Sequence, residues 1–116
     1  MKSRAVTSGF TLVEIMIVVA IIALLVAIAT PNFIKARANS QRNACIANLK
    51  QIDGAKSTWA LEARKFSGDS PADSDLFGST AYIRLKPTCP GNGTYTIEVV
   101  GTKPACSLNT TEGHTL

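Results

Sequence analysis

The amino-acid sequence predicts an α+β fold, in which one long N-terminal helix packs on a small antiparallel β-sheet. Three observations predict this fold: an unbroken apolar run from Ile15 to Ala29, a helical periodicity that continues to about Lys65, and an alternation of apolar and polar residues in residues 94–100. With 116 residues, the chain is long enough for one compact domain at most.

The first element is an apolar segment from Phe10 to Ala29, in which only Thr11 and Glu14 are polar. About twenty helical residues span about 30 Å, the thickness of the hydrocarbon core of a membrane. Lys2 and Arg4 precede the segment, so the positive-inside rule places the N-terminus in the cytoplasm and the rest of the chain outside. A secretory signal peptide cut after Ala29 and a simple transmembrane anchor are alternative interpretations.

Glu14 is the unusual residue of this segment. A carboxylate at the centre of a membrane helix costs roughly 2.5–3.5 kcal/mol, so it needs a partner. Cleavage between Gly9 and Phe10 would create a charged α-amino group one helical turn before Glu14. In a bundle of packed helices, Glu14 of one subunit would neutralise this amine on its neighbour, which favours assembly and sets the axial register. A carboxylate that reaches the membrane interface is the alternative.

The run Gly9-Phe10-Thr11-Leu12-Val13-Glu14 and the apolar residues after it resemble the N-terminal signal of type IV pilins and type II secretion pseudopilins. The short basic leader, the Gly–Phe junction, the glutamate in the fifth position of the mature chain and Pro31 all match the family pattern. The resemblance divides the chain into a leader (residues 1–9), a transmembrane and filament-core helix (10–30), and an amphipathic helix with a small periplasmic sheet domain (31–116).

The resemblance also implies how the chain is processed and assembled. A prepilin peptidase would cut after Gly9 and N-methylate Phe10. The chain would then wait in the bacterial inner membrane, with its C-terminal domain in the periplasm, until an assembly platform builds it into a helical filament with copies of itself and minor pilins. We expect a structural subunit and not an enzyme, most simply a type II secretion pseudopilin. A type IV major or minor pilin and a competence pseudopilin remain alternatives.

The second half of the helix is expected to be amphipathic. After Pro31, which should kink the helix, apolar residues recur largely at three- and four-residue steps, and Trp59 on this stripe is expected to be a core residue. The stripe consists of Ile34, Ala38, Cys45, Ile46, Leu49, Ile52, Trp59 and Ala63. The opposite face carries Lys35, Arg37, Arg42, Lys50, Lys56 and Arg64. The dipeptide Ser67-Gly68 should stop the helix.

The C-terminal part begins with a turn-rich loop, residues 67–81, which contains Asp69, Asp73 and Asp75. Calcium binding by these aspartates is conceivable, but their spacing is not that of an EF-hand, and aspartate commonly serves as a turn or cap residue. Residues 82–86 and 94–100 are predicted to form strands, and the inward side chains of the second strand should cover the helix stripe.

Three cysteines suggest that a cross-link stabilises the small C-terminal domain. A disulfide between Cys89 and Cys106, which would contribute about 3 kcal/mol, is the simplest interpretation in an exported protein, although Cys45 is an alternative partner of either residue. The alternative is a zinc site formed by Cys89, Cys106, His114 and, as a possible fourth ligand, Cys45. Since no two cysteines have zinc-finger spacing, we expect the disulfide and neither metal nor cofactor. A membrane-anchored zinc-binding or thiol protein is the alternative from another functional class.

Charge and aromatic content argue against two other functions. The net charge is +4, but basic and acidic residues are interspersed, and the chain has only two Tyr and one Trp for base stacking, so we expect no direct binding of nucleic acid. A catalytic pair of Cys89 or Cys106 with His114 would lack a neighbouring group in the sequence to orient it.

Overall fold

The computed structural model describes residues 8–116. It contains α1 (Leu12–Glu62), α2 (Asp73–Leu76), β1 (Tyr95–Thr96) and β2 (Ala105–Cys106). The α+β class and the long N-terminal helix are therefore confirmed. Lys2 and Arg4 of the predicted leader lie outside the described residues. The chain divides into two compact units that meet between Ala36 and Arg37, and each is described by itself below.

In the first unit, the large apolar side chains of α1 from Leu12 to Ile34 are exposed, among them Leu24 and Ile28, and so is Phe10 just before the helix. The helix is long and apolar enough to cross a membrane. Nothing else in the described part of this unit covers its surface, and an apolar surface of this extent in water would be strongly unfavourable. The side chains of the first unit therefore require lipid or other apolar helices around them.

Pro31 lies inside α1, which remains helical on both sides of it. Proline has no N–H, so the carbonyl of Ala27 lacks the donor that another residue at position 31 would supply. One residue earlier, the hydroxyl of Thr30 donates to the carbonyl of Val26 at 2.7 Å. These groups give the helix a locally altered hydrogen-bond pattern, and the kink at Pro31 stays a prediction.

The end of α1 lies at Glu62, slightly before the predicted Lys65. Arg64 adopts a positive φ of 53°, and the N–H of Lys65 donates to the carbonyl of Ala60 at 2.8 Å. This combination is the Schellman motif, with Arg64 in the left-handed position that glycine usually takes. The helix is therefore terminated before Ser67-Gly68, and sequence alone gave no signal for it because arginine seldom adopts this conformation.

The core of the second unit lies along one face of α1. Cys45, Leu49, Ile52 and Trp59 are buried there, so the predicted stripe is correct in its central part and Trp59 is a core residue as expected. Residues from the loops and the sheet complete the cluster, namely Leu76, Ile83, Cys89, Tyr95 and Cys106. Burial of such side chains provides the main driving force for folding.

Lys56 corrects the prediction for the polar face of α1, because its side chain is only 2% exposed. Its Nζ donates to the carbonyl of Ile97 at 2.9 Å and to the carbonyl of Thr102. Burial lowers the pKa of Lys56, since the charged form loses its hydration. A long side chain can pass through the core and satisfy carbonyls on the far side, which helical periodicity cannot reveal.

The sheet consists of β1 and β2, which pair antiparallel with Tyr95 opposite Cys106 and Thr96 opposite Ala105. The strand predicted over residues 94–100 is thus present but shorter, since Glu98 has a positive φ of 62° and ends the extended conformation. Tyr95 faces the core, as predicted.

The strand predicted over residues 82–86 is wrong. Ile83 forms only an isolated parallel bridge with Phe77. Its N–H donates to the carbonyl of Leu76 at 2.9 Å, so this segment closes on the end of α2. Leu85 is 80% exposed, and the segment therefore lacks the buried alternate face that a strand of the sheet would need.

The aspartates of the 67–81 loop have local structural roles. Asp69 accepts a hydrogen bond from the N–H of Phe66 at 2.8 Å, and Asp75 accepts one from the N–H of Ala72 at 2.8 Å. Asp73 forms an ion pair with Lys86 at 2.6 Å. The interpretation of these residues as turn and cap residues is confirmed for Asp69 and Asp75.

Candidate assembly segment and cysteine–histidine cluster

The beginning of α1 is fixed by a reciprocal pair of hydrogen bonds. The N–H of Thr11 donates to Glu14 Oε2 at 2.9 Å, and the N–H of Glu14 donates to Thr11 Oγ1 at 3.2 Å. This is a capping box, which satisfies two backbone donors that the first turn of a helix leaves unpaired. Its signal in the sequence is the threonine three residues before a glutamate, which the predictions above did not include.

The predicted cleavage junction precedes this capping box. Gly9 and Phe10 have no regular secondary structure, and Phe10 is 85% exposed. A side chain on Gly9 would meet nothing within 4 Å, so the chain on both sides of the peptide bond is open. The capping box thus holds the Glu14 carboxylate at the N–H of Thr11, the second residue after the junction.

Four buried side chains meet at a second place, in the body of the chain. Cys45 lies on α1, Cys89 in the loop before β1, Cys106 on β2, and His114 in the segment after β2. One ligand atom of each residue lies within 4.8 Å of those of the other three. The structure therefore brings together both the predicted disulfide pair and all the residues of the zinc alternative, including Cys45.

The loop at Cys89 is shaped to lie against the thiols. The N–H of Asn92 donates to the carbonyl of Cys89 at 3.0 Å, and Asn92 has a positive φ of 67°. A Cβ on Gly93 would lie 2.6 Å from Cys106 Sγ and 3.3 Å from Cys89 Sγ. Only glycine therefore allows the backbone to approach the two sulfurs so closely.

His114 enters the cluster from a turn after β2. The N–H of Glu112 donates to the carbonyl of Leu108 at 3.0 Å, and Gly113 has a positive φ of 70°. His114 Nδ1 lies 3.3 Å from Cys89 Sγ. His114 Nε2 lies 3.3 Å from Glu112 Oε2, but without hydrogen-bond geometry, so this buried atom has no hydrogen-bond partner among the described residues.

The thiols of Cys45 and Cys89 differ in pKa. Burial raises the pKa of Cys45 to about 12. Burial also acts to raise the pKa of Cys89, but hydrogen bonds to its sulfur outweigh burial and lower this pKa to about 7. The largest of these contributions come from the backbone N–H groups of Gly93 and Gly91, followed by Cys45 and His114. Burial raises the pKa of Tyr95, whose hydroxyl accepts a hydrogen bond from Asn48 at 3.1 Å. Cys89 is therefore more readily ionised than Cys45.

All three cysteines are free thiols in the structure. The disulfide between Cys89 and Cys106 stays a prediction, and Cys45 lies within reach of both residues.

Comparison with known proteins identifies the N-terminal segment. Residues 4–30 match the family model of the prokaryotic N-terminal methylation motif. The chain is 49% identical over 59 residues to the type IV major pilin protein PilA of Myxococcus xanthus, and 40% identical over 62 residues to the type IV major fimbrial protein FimA of Dichelobacter nodosus. These matches cover 51% and 53% of this chain, but only 27% and 39% of the two relatives.

A third relative is matched over most of its length. The chain is 32% identical over 82 residues to the competence protein ComGC of Bacillus subtilis, and the match covers 71% of this chain and 80% of that protein. The chain belongs to the family of type IV pilins and pseudopilins. No solved structure matches this pilin-family chain.

The family motif and the cysteine–histidine cluster are separate features of this pilin-family chain. Residues 4–30 contain Gly9, Phe10 and Glu14, whereas Cys45, Cys89, Cys106 and His114 all lie outside the matched motif. Membership in the family identifies the chain as a structural subunit of the type IV pilin class, anchored through its apolar helix. It assigns no role to the four buried ligand-type residues.

Proposed function

We propose that the chain is cut between Gly9 and Phe10 by a prepilin peptidase, N-methylated on Phe10 and assembled as a non-catalytic structural subunit of a type IV pilin-like filament. Before assembly it spans the bacterial inner membrane once, with residues 31–116 in the periplasm, and an inner-membrane platform then delivers it to the filament in the periplasm or at the cell surface. Copies of the chain and minor pilins form the filament. The observation that carries this proposal is the exposed apolar surface of α1, which needs lipid before assembly and other helices after it.

The proposed assembly contact joins Glu14 of one subunit to the Phe10 α-amine of its neighbour. Glu14 is an isolated carboxylate at the start of an apolar helix, where an unpaired charge is unfavourable. The capping box uses Glu14 Oε2, and a carboxylate has acceptor sites on both oxygens. The same side chain can therefore retain the N–H of Thr11 and accept a neighbouring ammonium group.

We propose that the filament belongs to a type II secretion system and that the chain is one of its pseudopilins. Type IV pilins and competence pseudopilins carry the same N-terminal signal. A competence pseudopilin is the second candidate, since the match to ComGC covers 80% of that protein. Deleting the gene in its host separates these roles: loss of exported enzymes from the medium supports the first, loss of DNA uptake with normal secretion supports the second, and loss of surface fibres alone supports a pilin.

Processing is tested by co-expressing the full chain with a prepilin peptidase and measuring the mass of the product. We expect a mature chain that begins with N-methylated Phe10, and an uncut Gly9→Leu variant that forms no filaments. Gly54→Ala is the matched control, because a Cβ at Gly54 also meets nothing within 4 Å and the residue lies far from the junction in sequence. A product that begins after Ala29 would instead identify a secretory signal peptide and contradict the proposal.

A further inference from the structure

We propose that Cys45, Cys89, Cys106 and His114 form a structural zinc site in the body of the protein. Three thiols and one imidazole are a ligand set that structural Zn²⁺ sites use, and four protein ligands close its coordination sphere. All four residues are buried, and His114 is only 1% exposed. The site is independent of the N-terminal assembly segment and goes beyond the proposed filament function.

The spacing of the four ligand atoms fits a tetrahedral ion. Zn–S bonds of about 2.3 Å place two sulfurs about 3.8 Å apart in a tetrahedron. The ligand atoms of the cluster lie within 4.8 Å of one another, and His114 Nδ1 lies 3.3 Å from Cys89 Sγ. A contraction of about 1 Å, which small side-chain rotations supply, brings the widest of these separations to the tetrahedral value.

A zinc ion satisfies more of the buried polar groups than a disulfide does. A bridge between Cys89 and Cys106 would leave the Cys45 thiol and the His114 imidazole together in the core, where polar groups without partners are unfavourable. A metal ion uses all four side chains. With Nδ1 of His114 as the ligand, the proton resides on Nε2, which lies 3.3 Å from Glu112 Oε2.

The surroundings of the cluster resemble the supporting contacts of metal sites. Ligating histidines commonly direct their second nitrogen to a carboxylate, and Glu112 Oε2 lies 3.3 Å from His114 Nε2, where a small change in side-chain torsion would give hydrogen-bond geometry. The N–H groups of Gly91 and Gly93 donate to the Cys89 sulfur, and such bonds disperse the charge of a bound thiolate. The absence of a side chain at Gly93 leaves the space that the sulfurs occupy.

The site would also explain how so small a body holds together. The body has a two-residue antiparallel pair as its sheet, and the four ligands come from four separate segments: α1, the Cys89 loop, β2 and the His114 turn. A metal ion that joins these segments contributes its binding free energy to folding. In small domains zinc and disulfides serve this same purpose, so zinc here replaces the predicted bridge.

The first test uses the full chain, purified in detergent without added reductant. We expect one equivalent of zinc that remains through dialysis, three thiols that react after denaturation with chelator, and a lower unfolding temperature once the metal is removed. Addition of Co²⁺ to the metal-free chain should produce the thiolate charge-transfer and intense visible bands of tetrahedral cobalt. A Cys89–Cys106 disulfide, one reactive thiol and no retention of added zinc would overturn the proposal.

Variants separate the zinc site from the bridge. Cys45→Ser should abolish retention of stoichiometric zinc, whereas a Cys89–Cys106 disulfide would be unaffected by it. Glu112→Gln leaves all four ligands in place and should weaken zinc affinity about tenfold in chelator competition. Thr115→Ala is the matched control beside His114 and should bind zinc as the unmodified chain does. Unchanged affinity in Glu112→Gln together with unchanged metal content in Cys45→Ser would refute the site.

Discussion

The carboxylate of Glu14 accepts the N–H of Thr11 at 2.9 Å, while the Thr11 hydroxyl accepts the N–H of Glu14 at 3.2 Å. This reciprocal pair gives Glu14 a role within one subunit, in addition to the contact proposed between subunits. The two roles have different chemical requirements. A capping box accepts glutamine in place of glutamate, whereas neutralisation of an ammonium group requires the negative charge.

The first prediction is that Glu14→Gln abolishes filament assembly while the chain still inserts into the membrane. Glutamine can accept the N–H of Thr11, so the beginning of α1 remains intact. It cannot neutralise the Phe10 amine of a neighbour inside the packed helices. Electron microscopy and sedimentation of sheared filaments measure assembly, and membrane fractionation measures insertion.

Thr11→Ala is the control for the capping role. It removes the hydroxyl that accepts the N–H of Glu14 and should cost about 1 kcal/mol of helix stability, yet it leaves the charge in place. Filaments of Thr11→Ala should therefore form. If Glu14→Gln assembles normally, the carboxylate acts only within its own subunit and the proposed contact is wrong.

The sequence predicted the N-terminal half well because its signals are local. An apolar run sets the helix, and the motif that ends in Glu14 is read directly along the chain. The capping box is local as well, because the spacing of Thr11 and Glu14 alone indicates it.

The body was harder to predict because its determinants are distant in the sequence. Periodicity placed Cys45 on the buried stripe of α1, but it could not show that Cys89, Cys106 and His114 all reach that residue. It assigned Lys56 to the polar face, since the carbonyls that bind its ammonium group lie far along the chain. The incorrect strand over residues 82–86 has the same origin: partial alternation does not reveal which edge a segment will pair with.

The second prediction concerns Gly93, whose backbone lies against the cluster. In Gly93→Ala the new Cβ would lie 2.6 Å from Cys106 Sγ and 3.1 Å from Leu108 Cγ, so the loop must shift. Overpacking of this kind costs about 1–3 kcal/mol of unfolding free energy. Urea unfolding of the full chain in detergent, followed by tryptophan fluorescence of Trp59, measures the loss.

Gly54→Ala is the matched control for this experiment. A Cβ at Gly54 meets nothing within 4 Å, and alanine is the better helix former, so we expect a gain of up to about 1 kcal/mol. Equal stability of Gly93→Ala and the unmodified chain would mean that the loop does not need its close approach to the sulfurs.

The third prediction is that Lys56→Met destabilises the body by about 1–3 kcal/mol. Methionine retains much of the buried stem but leaves the carbonyls of Ile97 and Thr102 without the donor that Lys56 provides. Lys50→Met is the control, because Lys50 is exposed on the same helix and its replacement should change stability by less than about 0.5 kcal/mol. Similar losses in the two variants would show that the buried hydrogen bonds contribute nothing specific.

The fourth prediction follows from the pKa of Lys56, which burial lowers from its ordinary value of 10.5. The folded chain then binds this proton less tightly than the unfolded chain does. Stability is therefore reduced wherever both states are protonated, and it rises with pH between the folded pKa and 10.5. We expect the unfolding free energy of the unmodified chain to increase across that window relative to Lys56→Met. Urea unfolding of both proteins over a series of alkaline pH values measures the difference, and parallel pH profiles would contradict a lowered pKa.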